Sequence, residues 1–366
     1  MAADETGSAI TPLLILFFVL LQLTNVTKII IFTENTLRMK RIIITALAAL
    51  TLCTGAFGQQ KFGVVKYSAN FMRSKPDYSS ELETQALMGT PVKIHGSNRY
   101  WLQISTPDYK AWTTDMGIVP MDSVQLQEYT ATPKYICTVL WSEVFAEPKK
   151  DAARISDLVM GDLMRVSMSH SGKALKSKGF LGVVLPDGRK GYVRGSDLSD
   201  FAPWAKSRCA VADNLISTAK MLIGTPYMWG GYSSKGLDCS GLTKTVFFLN
   251  GVMLYRNASQ QAKEGIDITL DGFEPGKSEG ELRPGDLVFF GKKATLTSKE
   301  RITHVALYIG NGCIIHSSQE VRLNSLDPAA DNYYSGAQNI VRVRRICDEN
   351  GKPYTSGVVK DSPVYF

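Results

Sequence analysis

The sequence predicts an α+β chain in which two small β-barrels precede a domain of helices followed by strands, and three observations lead there. Residues 60–202 are cut into short strand-like runs by clusters of turn residues. That region repeats its own plan once. From Pro203 onward the apolar spacing changes to the three-and-four pattern of a helix, and later returns to strands.

In chain order, residues 1–58 form a leader with two apolar runs, at 10–23 and 42–52. Neither reaches the roughly 20 residues that a bilayer span needs. The second run follows Met39, Lys40 and Arg41 and ends at a small-x-small site, Ala56 and Gly58, which is the pattern of a signal peptide over residues 39–58. The expected location is therefore outside the cytoplasm, periplasmic or in the cell envelope, with an uncleaved anchor through residues 10–32 as the alternative. Cys53 follows Leu52, a larger residue than lipoprotein processing favours.

The first barrel, residues 60–128, reads as strands through VKYSANFMR, TPVKIHG and YWLQIS, separated by SKPDYSS and TPDY. The second, residues 129–202, repeats it: LMGTPVKI at 87–94 matches VMGDLMRV at 159–166, and TPDYKAW at 106–112 matches LPDGRKGY at 185–192. The offset widens between these matches, which places an inserted loop at SHSGKALKSKG. In the third domain, residues 203–347, one helix carries Val211, Leu215, Ala219 and Leu222 on a single face before Gly224 and Pro226 stop it. A second begins near Cys239, continues through Leu242, Val246 and Leu249, and ends at Asn250 and Gly251. DLVFF, HVALYIG and CIIHSS follow as strands, and residues 348–366 read as a C-terminal tail.

Composition excludes several classes. At 366 residues, 44% hydrophobic and 20% charged, the chain is neither disordered nor fibrous. Its 41 Lys and Arg outnumber 34 Asp and Glu without forming a basic block, so nucleic acid is not an expected partner. Nothing implies a stable protein partner. The six cysteines are widely and irregularly spaced with no CxxC pair, which argues against both a zinc site and a dense disulfide framework. Removing the leader takes away Cys53 and leaves an odd number, so an exported chain keeps at least one thiol over.

Cys239 is the thiol in a suggestive place. At a helix N-terminus, free N–H groups favour an anion and lower a thiol pKa, and the thiolate is the nucleophile. Acting on an amide also needs a general base, usually a histidine oriented by a third polar group. The chain has four histidines. His95 and His170 lie in polar stretches of the barrels and read as solvated, whereas His304 and His316 share a domain with Cys239. They flank GNG at 310–312. A two-residue Asn-Gly turn would pair Leu307 with His316 and put the histidines on opposite faces. A three-residue turn with Gly312 left-handed pairs Ala306 with His316 and puts both on one face, within mutual reach.

GTPYMWGG (224–231), DCSGLT (238–243), LRPGDLVFF (282–290) and HVALYIGNGCIIHSS (304–318) together resemble the NlpC-type cell-wall cysteine peptidases. That resemblance implies a papain-like core with Cys239 as nucleophile, His304 as base and His316 as orienting group, and no metal or cofactor. The full layout is similar to γ-D-glutamyl-L-diamino acid endopeptidases with two bacterial SH3-like domains. It implies cleavage of peptidoglycan stem peptides that begin with a free L-Ala. Asp238, Ser240 and Ser259 then offer polar partners to the substrate ammonium, Tyr227 a hydroxyl to the oxyanion, and Glu81 and Trp112 of the first barrel close the amine end of the cleft. The subfamily commonly has glycine before that aromatic residue; Ala111 stands there, leaving Tyr109 as the alternative position. Two other readings stay open: a wall-binding protein without catalysis, and an amidase or acyltransferase on the same core.

Overall fold

The computed structural model describes residues 61–275, 277–354 and 357–366; the leader with its expected signal peptide and Cys53 lies outside them. Seven short strands between Phe62 and Met121 form an antiparallel sheet over a core of Val65, Met72, Val92 and Ile104. A helix, Ser123–Ala131, follows with a capping box between Asp122 and Gln125. A second antiparallel sheet runs from Lys134 to Asp200 around Val144, Leu158, Met164 and Val193. These sheet-rich segments are consistent with SH3-like domains. The expected inserted loop carries a short extra strand, Lys176–Ser177, paired with Phe180 and Leu181.

The repeated motif also joins the two sheets. Leu163 N donates to Met88 O (3.0 Å), and Met88 N donates to Asp162 Oδ1 (2.9 Å), so the Met-Gly turn of each copy lies against the other. Gly89 permits this approach: its φ is +82°, and a Cβ there would lie 2.4 Å from the Leu163 carbonyl oxygen.

The remaining chain is a papain-like α+β domain. Its six-stranded antiparallel sheet has the order Ile266–Asp267, Ile340–Arg345, Leu287–Lys292, Arg301–Gly310, Cys313–Ser318, Glu320–Ser325. Helix Cys239–Leu249 lies on that sheet, and Leu242 and Val246 pack with Leu287, Phe289, Val305 and Ile315 in one core. Such packing of buried Leu, Val, Ile and Phe side chains is worth about 1.5–3 kcal/mol for each one fully removed from water. The helical stretch after the second sheet is two helices, Phe201–Ser207 and Ala212–Met221. Only the second carries the face Leu215 and Ala219 into this core; Phe201 and Trp204 of the first pack instead with Phe248 and Leu249. The C-terminal segment is part of the fold: strand Gly357–Val358 pairs with Val252–Met253, and Phe366 stacks on Phe201 at 5.1 Å between ring centroids.

The hairpin between the two candidate histidines has the two-residue turn and not the three-residue one, yet reaches the register of the latter. Asn311 (φ +54°) and Gly312 (φ +66°) make a two-residue left-handed turn closed by the Gly310–Cys313 pair. A bulge at Ile309 then shifts the register, giving Tyr308–Ile314 and Leu307–Ile315. Extending that register by one pair sets His316 opposite Ala306, on the face that His304 shares.

Candidate active site

Cys239 is the first residue of its helix and is buried at 8% exposure. Asp238 caps that helix: its Oδ1 accepts from Gly241 N (2.7 Å) and its Oδ2 accepts from Gly230 N (3.0 Å). A Cβ at Gly241 would lie 2.0 Å from the Gly231 carbonyl oxygen, so the small residue lets the GTPYMWGG loop close over the helix start. The neighbouring strands are tied in as well. Ser317 Oγ donates to Leu237 O (2.7 Å) and Tyr227 N donates to Gln319 O (2.8 Å), which fixes Tyr227 and the His316 strand against the segment that presents Cys239.

The Asp238 carboxylate already has a cation. Arg256, only 2% exposed, donates through Nη1 to Asp238 Oδ1 (3.0 Å) and to Ser240 Oγ (3.0 Å), and through Nη2 to Asp238 Oδ2. Its Nε reaches Thr84 Oγ1 in the first sheet (2.7 Å). With two backbone N–H groups, the Ser240 hydroxyl and a guanidinium on it, Asp238 has its lone pairs occupied. Asp238 and Ser240, expected from the sequence to offer partners to a substrate ammonium, are thus held by a counter-ion from within the chain. Ser259 does not join them: it is exposed on the short helix Ala258–Gln261, and the buried side chains of that segment are Arg256 and Gln261.

His304 Nε2 lies 2.8 Å from His316 Nδ1, and His316 Nε2 lies 2.9 Å from Asn324 Oδ1. Tyr334 stands edge-on to His316 at 4.6 Å between centroids and tilted against His304 at 5.6 Å. Burial, then the His316 ring, holds the His304 pKa down to about 3, and burial is also the main cause that lowers His316. Both rings are neutral at pH 7. The thiol is neutral too: burial, then the adjacent Asp238 carboxylate, push Cys239 up to about 11 against backbone contacts from Val305 and Ser240. Burial outweighs the helix N-terminus here, and the Asp238 carboxylate that caps the same helix adds to it. Tyr227 is likewise raised to about 12, by burial first and then by the Cys239 and Asp238 charges, so its hydroxyl keeps its proton. His95 and His170 are exposed, as read from the sequence.

The first sheet meets the site along strand Leu82–Leu87. Besides Thr84 on Arg256, Gln85 Oε1 accepts from Tyr232 N (2.8 Å), and the Leu82 backbone packs on Gly230. Glu83 accepts from the Tyr109 hydroxyl. Tyr109 is raised to about 12, chiefly by burial and then by Glu83, with Asn257 and Arg256 opposing. That places the Glu83–Tyr109 pair beside the Arg256–Asn257 segment. Glu81 and Trp112 are not brought there: Glu81 is exposed at the end of the preceding loop, and Trp112 sits mid-strand opposite Gln103 and Arg73. Neither has a hydrogen bond to the site among the described residues.

Comparison with known proteins gives a consistent picture. The NlpC/P60 family pattern matches residues 224–343. The chain is 32% identical to a gamma-D-glutamyl-L-lysine dipeptidyl-peptidase of Bacillus subtilis (strain 168) over 73% of its own length and 82% of that protein's. It is 30% identical to dipeptidyl-peptidase 6 of Lysinibacillus sphaericus, over 72% of this chain and 91% of the relative. Among solved structures, an NlpC/P60 family protein from Bacillus cereus ATCC 10987 shares the fold at 22% identity with a TM-score of 0.62, over 78% of this chain and 99% of that one. With relatives at this identity over more than two thirds of both chains, the chain belongs to the NlpC/P60 family of cysteine peptidases.

Proposed function

We propose that the chain is an exported cysteine endopeptidase that cuts the γ-D-glutamyl to L-diamino acid bond of peptidoglycan stem peptides with a free N-terminal L-Ala. The observation that carries this reading is the Cys239 thiol at a helix start, against the backbone of Val305, the strand neighbour of His304, whose imidazole is paired with His316; the first sheet's Glu83 and Tyr109 lie by the Arg256–Asn257 segment. The names of the relatives support the bond, and the signal-peptide pattern at 39–58 supports export to the envelope.

In this mechanism Cys239 Sγ attacks the γ-carbonyl carbon of D-Glu as His304 accepts the thiol proton. Because thiol and imidazole both rest neutral, the proton moves during attack and no preformed ion pair is required. The tetrahedral oxyanion is held by the Cys239 N–H, which has no acceptor within its helix, and by the Tyr227 hydroxyl. Collapse breaks the C–N bond while His304 returns the proton to the leaving amine. Water, deprotonated by His304, then splits the thioester, regenerating the thiol and releasing L-Ala-D-Glu. Asp238 and Ser240 act on Arg256 and the helix start, and the carboxylate left for the substrate ammonium is Glu83, whose second oxygen accepts no hydrogen bond from the protein among the described residues.

The test is mass spectrometry of L-Ala-γ-D-Glu-diamino acid peptides before and after incubation, with lysine and meso-diaminopimelate versions side by side. Release of L-Ala-D-Glu is the expected result. Intact peptide in both cases, or transfer of the acyl group to an added amine without hydrolysis, refutes the reading.

A further inference from the structure

The imidazole pair does not end at His316. Asn324 continues the chain of hydrogen bonds: one end of its amide meets His316 Nε2 at 2.9 Å, and the other meets the main-chain carbonyl of Asn332 at 2.5 Å. A carbonyl oxygen only accepts, so the amide end facing Asn332 is the NH2 group whatever the electron count of the two ends. The opposite assignment would press two oxygens together at that distance. The Asn332 carbonyl also accepts from Ser325 N (3.1 Å), and Tyr334 N donates to Ser325 O (2.8 Å), so the loop that carries the carbonyl is held to the Asn324 strand.

Consequences run along the chain one proton at a time. With NH2 committed to Asn332, Asn324 presents its oxygen to His316, and His316 must carry its proton on Nε2. A neutral His316 then has a lone pair on Nδ1, and His304 must donate to it from Nε2 across the 2.8 Å contact. His304 is left with an unprotonated Nδ1 as its basic nitrogen.

We propose that Asn324, keyed by the Asn332 main-chain carbonyl, is a positioning residue that fixes the tautomers of His316 and His304. The proposal rests on the peptidase reading for its meaning, since a free Nδ1 on His304 matters because that atom would take the Cys239 proton. Asn324 and His316 are buried, at 7% and 0% exposure, so water does not replace the lost partner in a variant. In Asn324→Leu, an Nε2–H on His316 would be buried without an acceptor. That penalty favours the alternative in which His316 Nδ1–H donates to His304 Nε2, and His304 then carries its proton on Nδ1, where it cannot act as base.

The decisive measurement is 15N-resolved NMR of the histidine side chains in the Cys239→Ala chain near pH 7.5, which reads tautomers independently of any hydrolysis. Protonation of both His304 and His316 at Nε2 is expected, and Asn324→Leu should turn that single state into a mixture or its reverse. In the Cys239-containing chain the same substitution should lower kcat by roughly 10- to 100-fold with KM within about threefold, the signature of a misplaced proton and not of lost substrate contacts. His316 protonated at Nδ1 in the parent chain would overturn the proposal, even if Asn324→Leu does not fold. So would an Asn324→Leu chain that folds and keeps both parental tautomers. A parent enzyme that leaves every stem peptide intact would overturn the peptidase reading while the NMR result stood.

Discussion

Arg256→Met offers the sharpest test of how the site is built. The substitution keeps an unbranched apolar stem of similar reach but deletes a guanidinium that touches both oxygens of Asp238, the Ser240 hydroxyl, the Gly231 carbonyl and Thr84 of the first sheet. Asp238 would then hold a buried charge without a counter-ion. Breaking a buried pair from one side costs about 3–5 kcal/mol, far more than the pair contributes net of desolvation. At about 2–4 °C per kcal/mol for a chain of this order of size, the melting temperature should fall by roughly 6–20 °C. The pair is sealed at 2% and 10% side-chain exposure, so the loss should persist in high salt, where a surface pair would already be screened. A double-mutant cycle identifies the cause: in an Asp238→Asn background, which keeps the cap oxygen but removes the charge, Arg256→Met should cost at least about 2 kcal/mol less. Urea denaturation of the four chains supplies the numbers. An Arg256→Met chain within about 1 kcal/mol of the parent, or an equal loss in both backgrounds, would refute the argument that Arg256 balances the Asp238 charge.

Cys239→Ala should abolish peptide hydrolysis while shifting the denaturation midpoint by no more than about 1 kcal/mol, and Cys313→Ala should retain activity; equal losses in the two would favour a structural role for both thiols. Because His304 and His316 titrate below the ordinary imidazole value when folded, the unfolded chain takes up protons first as pH falls. Their contribution to stability is complete above about pH 6.5 and is lost below it, toward the folded value of about 3 for His304, at up to about 1.4 kcal/mol per pH unit for each histidine. Denaturation midpoints that are flat between about pH 7 and 5 would contradict this. Glu83→Gln should lower kcat/KM for a free L-Ala peptide by about 10- to 100-fold and leave an N-acetylated peptide, itself cleaved poorly by the parent, almost unchanged. The exposed Glu81→Ala should alter neither rate by more than about twofold, and a loss there matching that of Glu83→Gln would return the amine end to Glu81.

What the sequence made legible follows a physical dividing line. The helix at Cys239 and the strands around both histidines were readable because period and caps are local: Leu242 and Val246 at helical spacing, Asn250 and Gly251 at the end, alternation through 304–318. The Ala306–His316 register was legible for a related reason, since side-chain period in a strand is two and only one register buries both imidazoles on one face. The route to it was not, because a two-residue turn plus a bulge and a three-residue turn deliver the same pairing beyond Ile309. Contacts between segments far apart in the chain were the least readable. Arg256 is 18 residues from Asp238 and 172 from Thr84, and no spacing rule links them. Charge balance points there: a carboxylate at a buried helix start is costly without a counter-ion, and RNASQQ holds one arginine. A related limit applies to Glu81 and Glu83 in the first sheet. In the first sheet an offset of two preserves the face of a strand but moves the residue by about 7 Å along it, enough to separate a solvated loop end from the line that Thr84 and Gln85 lay against Arg256 and Tyr232. Docking depth, which pattern does not encode, sets which acid of SSELETQ lies beside Thr84 and Gln85 in the strand.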